Sequence, residues 1–202
     1  MNQIIQKIKK HQVSIERNRK VYAVLLPIIQ QEDQWHILYE VRSQYISSPG
    51  QTSFPGGMVE EGETPQQAAI RETMEELGLL EEDIHVIGQL DPLIDHGRII
   101  YCFVGHITLS DLKELSLNGY EVERVFTLSI DELIDQPPNQ YAITYKPMAD
   151  QQFPFKAIGL ASDHQLKTFK AHLPIYPTQE SLWGLTAQFT EQFISILTKE
   201  ES

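Results

Sequence analysis

Apolar residues fill Val21 to Ile29 almost without a break, with only Tyr22 and Pro27 intervening, and a second largely apolar segment, Trp35 to Val41, follows the polar stretch Gln30-Gln31-Glu32-Asp33-Gln34. This pattern predicts two strands around a polar turn, the first apolar enough to be buried on both faces. A loop is expected to follow as far as Gly57. Further strands are predicted at Ile84 to Leu90, Arg98 to Ile107, Val122 to Leu128 and Tyr141 to Tyr145, with a short helix at Ile130 to Asp135. Near the end, Leu182, Leu185, Phe189, Phe193 and Ile196 recur at intervals of three and four, which predicts a helix over about 181–198 with one apolar stripe. Ile4, Ile5 and Ile8 are spaced like one face of a short N-terminal helix.

The helix with the most local support runs from Pro65 to Leu77. Thr64 and Gln67 form a capping box, Pro65 takes the first helical position where its missing N–H costs nothing, and Gly78 supplies a left-handed stop. At about 100° per residue, Ile70, Met74 and Leu77 share one narrow arc, with Glu72, Glu75 and Glu76 on the opposite side. The expectation is an oily face and an acidic face.

The chain has 202 residues, 41% of them hydrophobic and 22% charged, as in an ordinary globular protein. No repeat, low-complexity tract or linker breaks it, so a single domain over 1–202 is expected. Sixteen Lys and Arg against 28 Asp and Glu give a net charge of −12. Binding to a nucleic-acid backbone is disfavoured, because the basic residues are scattered except for Lys7, Lys9, Lys10, Arg17, Arg19 and Lys20, which read as a solvated arm. The run Val21 to Ile29 is too short to span a bilayer, which takes about 20 residues, and no signal-peptide core precedes it. The single cysteine, Cys102, lies in an apolar run and reads as a small core residue. No intramolecular disulfide can form, and the cytoplasm is the expected compartment.

Glu72, Glu75 and Glu76 stand at offsets 0, 3 and 4 on one helix face, where like charges repel. Either this is a solvated acidic face, or a hard cation such as Mg²⁺ or Mn²⁺ neutralises it; spacing alone does not choose. A Walker loop, G-x-S-x-G, H-E-x-x-H and C-x-x-C are all missing from the sequence, and the seven histidines do not cluster at ligand spacing.

Gly57, Glu63, Arg71, Glu72, Glu75, Glu76 and Gly78 fit G-x5-E-x7-R-E-U-x-E-E-x-G-U, with U an apolar residue, and on this box, residues 57–79, the chain resembles the Nudix hydrolases. Thr73 takes the first apolar position, a mild departure; Leu79 matches the second. The resemblance implies an α/β fold, an α/β/α sandwich with a mixed sheet between the box helix and the C-terminal helix. It implies hydrolysis of a nucleoside diphosphate derivative with Mg²⁺ or Mn²⁺ held by Glu72, Glu75, Glu76 and the carbonyl of Gly56. Arg71 would orient the carboxylates and Glu63 would tie the loop to the helix. The attacking water would lose its proton to a box glutamate or to one on a later loop; Glu121, in Gly119-Tyr120-Glu121-Val122, is the later candidate, its alternative being an exposed strand-edge residue. A chain of charge −12 repels a diphosphate, so bound metal would have to invert the local sign.

Leu38-Tyr39-Glu40-Val41-Arg42-Ser43 followed by Gly50-Gln51-Thr52-Ser53-Phe54-Pro55-Gly56-Gly57 is similar to the coenzyme A diphosphatase branch. Cys102-Phe103-Val104-Gly105 and Leu182-Trp183-Gly184-Leu185-Thr186-Ala187 extend that similarity. The substrate expected from it is coenzyme A or an acyl derivative, cleaved to 3′,5′-ADP and 4′-phosphopantetheine, with Arg42, Ser43, Gly50 and Phe54 as candidate substrate contacts. Phe54 and Pro55 would line the cleft or shape the turn into the glycine pair, with the turn favoured. The branch's second arginine is missing, since Ile46-Ser47-Ser48-Pro49 is one residue shorter and holds no basic side chain. An ADP-ribose, nucleotide-sugar or dinucleotide pyrophosphatase, with Pro92 downstream of the box, and a non-catalytic nucleotide sensor are the alternatives. The intact carboxylate set speaks against a sensor. The partner expected is a small nucleoside diphosphate molecule, neither nucleic acid nor membrane; the oligomeric state is left open, a homodimer included.

Overall fold

The computed structural model describes residues 20–150, 152–161 and 164–199. The N-terminal isoleucine stripe and, apart from Lys20, the basic arm lie outside the described residues. By contacts the chain divides into two compact units, 1–129 and 130–202.

The first unit is an eight-stranded mixed sheet carrying one long helix. Strand β1 (Val21–Gln31) pairs antiparallel with β2 (Gln34–Arg42) and parallel with β7 (Arg98–Ile107). Strands β5 (Ile84–Gln89) and β6 (Leu93–Asp95) both pair antiparallel with β7. Strand β8 (Val122–Ser129) runs antiparallel along β2. The polar turn between β1 and β2 is tighter than expected: only Glu32 and Asp33 remain outside the ladder, both at positive φ (48° and 63°), the geometry of a two-residue hairpin turn.

β1 and β2 stay together only from Ile28 and Ile37 to the turn. Below that point the expected loop instead supplies two short strands, β3 (Thr52–Ser53) against β2 and β4 (Gly56–Met58) against β1. The box helix α1 (Pro65–Leu77) packs on β1, β4 and β7. Its predicted ends hold: the Gln67 N–H donates to Thr64 Oγ1 at 3.3 Å, the Thr64 N–H donates to Gln67 Oε1 at 2.9 Å, and Gly78 is left-handed at φ 68°. The core beneath it combines Ala23, Leu25, Ile29, Leu38, Ala68, Ala69, Leu77, Phe103 and Ile107. Cys102 is buried as expected, and burial pushes its thiol up.

The two-face picture of α1 needs correction. Its fully buried positions are Ala68, Ala69, Thr73, Glu76 and Leu77, whereas Ile70 and Met74 pack at the margin of the core. Thr73 has no exposed surface, and its hydroxyl donates to the Ala69 carbonyl at 2.7 Å, so the residue that departs from the motif is a satisfied core side chain.

In the second unit a short helix α2 (Ile130–Asp135) is followed by β9 (Asn139–Tyr145), which pairs antiparallel with β10 (Phe169–Ile175). Helix α3 (Gly184–Thr198) packs on β10 and α2 and starts three residues later than the periodicity suggests. Its buried face is Ala187, Phe189, Thr190, Phe193 and Ile194; Ile196 is out in solvent. Among the described residues no helix is long and apolar enough to cross a membrane.

Candidate active site

The glycine pair sits on β4, directly across from β1: Gly56 faces Val24 and Gly57 faces Ala23. A Cβ on Gly56 would collide with the Ala23 carbonyl oxygen and with Val24 Cα, so only glycine lets the two backbones meet. A Cβ on Gly57 would land on the Glu72 carboxylate. At the glycine pair β4 carries no side chains, and the carboxylates of the box helix reach its backbone.

Glu76 shows the consequence. It is 6% exposed, and its Oε2 accepts the Gly56 N–H at 2.8 Å. Burial, and then the charges of Glu72 and Glu121, push its carboxyl up to about 8, against the opposing pull of the Gly56 N–H and Arg42. It is not on an exposed acidic face. Burial also raises Glu72, with Glu75 and Glu121 adding and Arg71 opposing. Glu75 is the solvated member, its side chain 56% exposed.

Arg71 gathers the remaining carboxylates. Its Nη2 and Nε donate to the two oxygens of Glu63 at 2.9 and 3.2 Å, and its Nη1 donates to Glu72 at 2.9 Å and to Glu75 at 3.4 Å. The hydrogen bonds from Arg71 draw Glu63 below the usual carboxylate range. Glu63 in turn accepts the Glu60 N–H at 2.7 Å, which ties the loop before the helix to the helix itself.

Glu121 comes from a separate segment, a turn just before β8, and its charge is felt at Glu72 and Glu76. That segment is stitched to the end of α1: the Ser116 N–H donates to the Leu77 carbonyl at 3.0 Å and the Asn118 N–H to the Glu76 carbonyl at 2.9 Å. Ser43 fixes the same segment from the other side, its N–H donating to the Glu121 carbonyl at 2.9 Å and its hydroxyl to the Tyr120 carbonyl. Ser43 is buried, and its hydroxyl is committed to that tie rather than offered to a ligand.

The other candidate substrate residues divide. Arg42 opposes the charge of Glu76 but donates from Nε to the Ser47 carbonyl at 2.8 Å, closing the shortened loop. Gly50 is an exposed turn residue at φ 73° whose N–H donates to the Arg42 carbonyl at 2.8 Å. Phe54 is 4% exposed and stacked on Tyr39, with centroids 5.2 Å apart, so it shapes the turn into the glycine pair instead of lining a cleft.

One acidic residue of the cluster went unnoticed in the sequence. Glu40, on β2, is buried among Leu38, Tyr39 and Val41, and its Oε1 has no hydrogen-bond partner. A lone charged residue inside the run Ile37 to Val41 was the available signal.

The carboxylates fit a hard divalent cation in kind: they are oxygen donors, short of positive charge, and one buried oxygen is orphaned. Among the described residues, however, no three His, Cys, Asp or Glu side chains converge tightly enough to hold an ion in this arrangement. Arg71 engages Glu72 and Glu75, while the Gly56 N–H engages Glu76.

Residues 19–151 match the NUDIX domain family. Nudix hydrolase 3 of Caenorhabditis elegans is 36% identical over 182 residues, covering 88% of this chain and 73% of that protein. Mitochondrial coenzyme A diphosphatase NUDT8 of Mus musculus is 31% identical over 180 residues, covering 87% of this chain and 77% of its own length. A solved MutT/nudix family protein from Enterococcus faecalis shares the fold, with a TM-score of 0.55 over 98% of this chain and 70% of that one at 12% identity. With Arg71, Glu72, Glu75 and Glu76 of the box on one helix, the glycine pair on the adjoining β4 and a family match over more than half its length, this chain belongs to the Nudix hydrolases.

Proposed function

We propose that this Nudix hydrolase cleaves the diphosphate of coenzyme A or an acyl-coenzyme A, giving 3′,5′-ADP and the matching 4′-phosphopantetheine, with Mg²⁺ or Mn²⁺ at the box carboxylates. The observation that carries the reading is the approach of Glu72 and Glu76 to the Gly56-Gly57 backbone, where the charge of Glu121 helps to raise both carboxyls. The similarity to a protein named as a coenzyme A diphosphatase supports the substrate.

Glu72, Glu75, Glu76 and the Gly56 carbonyl would hold the ion, which when bound polarises phosphoryl oxygens and makes water more acidic. Arg71 keeps Glu72 and Glu75 in place through hydrogen bonds, and Glu63 anchors Arg71. The glycine pair leaves the backbone open beneath the carboxylates. Hydrolysis adds water across one P–O–P bond, and Glu121, whose backbone segment is tied to Ser43 and to the end of α1, would take the water's proton. Arg42, whose charge acts on Glu76, would offer a cation to a phosphate in exchange for its bond to Ser47.

The test is a panel of coenzyme A, dephospho-coenzyme A, ADP-ribose, NADH and diadenosine polyphosphate, each with Mg²⁺ and then Mn²⁺. Coenzyme A should give the highest kcat/KM, and EDTA should abolish turnover. Removing the 3′-phosphate should raise KM about 10- to 150-fold if a charge-assisted hydrogen bond worth about 1.5–3 kcal/mol is lost. A kcat/KM for ADP-ribose or NADH tenfold above that for coenzyme A overturns the substrate assignment; full activity in EDTA overturns the metal one.

A further inference from the structure

β2 carries a single carboxylate where the fold calls for an apolar residue. Ile37, Leu38, Tyr39 and Val41 are all core side chains, and Glu40 among them is 2% exposed. Its Oε1 makes no hydrogen bond. A buried carboxylate with an orphaned oxygen is costly, and a leucine or threonine would pack there more cheaply, so the position needs a reason beyond packing.

The topology supplies one. β1 and β2 part below Ile28 and Ile37, and the segment from Thr52 to Met58 enters between them. Glu40 pairs with Ser53 at the start of that segment. Three residues further on, the same segment presents the Gly56 N–H to Glu76. Glu40 thus approaches from the sheet while Glu72 and Glu76 approach from the helix. The electrostatics agree: after burial itself, the largest influence raising Glu40 is Glu76, with Glu121 and Glu72 adding and Arg42 opposing.

We propose that Glu40 is a further cation-binding carboxylate of this site, supplied by β2 from outside the box helix. The inference rests on the metal-dependent reading above. The ion would be compensated from two sides, by Glu72 and Glu76 on α1 and by Glu40 on the sheet, and the orphaned oxygen would acquire its partner only when the cation is present. A buried acid serving merely as core filling would leave cation affinity untouched.

The experiment measures Mn²⁺ binding to the full chain by titration calorimetry, together with the Tm in EDTA, for the wild type, Glu40→Gln and Glu76→Gln. Glu40→Gln is expected to weaken Mn²⁺ binding at least tenfold while its Tm in EDTA stays level or rises, because a repelling charge has gone. Binding within threefold of the wild type overturns the proposal, and a greater loss supports it. Glu76→Gln separates the two readings: if the wild type binds no Mn²⁺, or Glu76→Gln binds as well as the wild type, the metal assignment itself fails. If Glu76→Gln is impaired and Glu40→Gln is not, only the role of Glu40 fails. Should Glu40→Gln not fold, Glu40→Asp is judged by the same threefold criterion, and failure of both to fold makes Glu40 a packing residue and overturns the proposal.

Discussion

Replacing Glu76 by glutamine should stabilise the metal-free protein at alkaline pH, although it removes a residue at the centre of the proposed site. Burial pushes this carboxyl up to about 8, with Glu72 and Glu121 adding, whereas in the unfolded chain it titrates near 4.5. The folded state therefore binds the proton more tightly than the unfolded one, so the contribution is fully present below about pH 4.5 and is lost as pH rises towards 8. At about 1.4 kcal/mol per pH unit, 8 − 4.5 sets a ceiling of about 5 kcal/mol. Glutamine keeps an oxygen to accept the Gly56 N–H and carries no charge at any pH, so it escapes the loss. Urea unfolding in EDTA at pH 5, 6.5 and 8, followed by tryptophan fluorescence, reads the difference. The variant should match the wild type at pH 5 and exceed it by about 2 kcal/mol or more at pH 8, while its kcat with Mn²⁺ falls by orders of magnitude. The general repulsion of a chain of charge −12 acts on both proteins and cancels in the comparison. A variant less stable than the wild type at pH 8 in EDTA would show that Glu76 is held ionised and well paired, and the reasoning would fall.

The two glycines should separate cleanly. Gly56→Ala drives a methyl into the β1 backbone and should cost about 3 kcal/mol or more, read as a lower urea midpoint. Gly57→Ala meets only the end of a flexible side chain, so its stability should stay within about 1 kcal/mol of the wild type while kcat drops at least tenfold through displacement of Glu72; an unchanged kcat would contradict this. Arg71→Lys should lose nearly as much kcat as Arg71→Ala, because one ammonium cannot reproduce the fork that grips Glu63 and also reaches Glu72; recovery by lysine would refute that role. Phe54→Leu should lower stability by about 1–2 kcal/mol without altering KM, and a KM changed more than threefold would put Phe54 in the cleft after all.

How far the sequence reached depended on whether a feature was local. The box helix was legible to the residue, because its cap, its proline and its terminal glycine act within one turn of where they stand. β3 and β4 were not, since strands of two and three residues form only against partners already in place on β2 and β1. β10 was passed over although Phe169, Ala171, Leu173 and Ile175 alternate with Lys170 and His172: Pro174 counts against a strand, and the segment is largely exposed, so its pairing with β9 is what identifies it. Glu121 was singled out because the Nudix resemblance allows the base to lie on a loop after the box, and Glu40 was passed over because one acidic residue in a predicted strand reads as solvent-facing until its neighbours are in place.

The misjudged face of the box helix shows the limit most clearly. Periodicity states which side chains share an arc, but not which arc meets the sheet. Ile70 and Met74 drew attention by being large, yet the fully buried positions are Ala68, Ala69, Thr73, Glu76 and Leu77. Ala68 and Ala69 pack into the core with Ala23, Leu25 and Leu38, while the glycine pair on β4 receives the helix's carboxylates, Glu72 against Gly57 and Glu76 on the Gly56 N–H. Close approach is what lets the Glu76 carboxylate reach the Gly56 N–H, and it is also what buries that carboxylate next to Glu72 and Glu121. Thr73 in place of the usual larger aliphatic residue fits the same buried face: it has no exposed surface, and its hydroxyl is satisfied within its own helix. The charges divide along the same line, with Glu75 left to solvent and Glu76 buried against the Gly56 N–H.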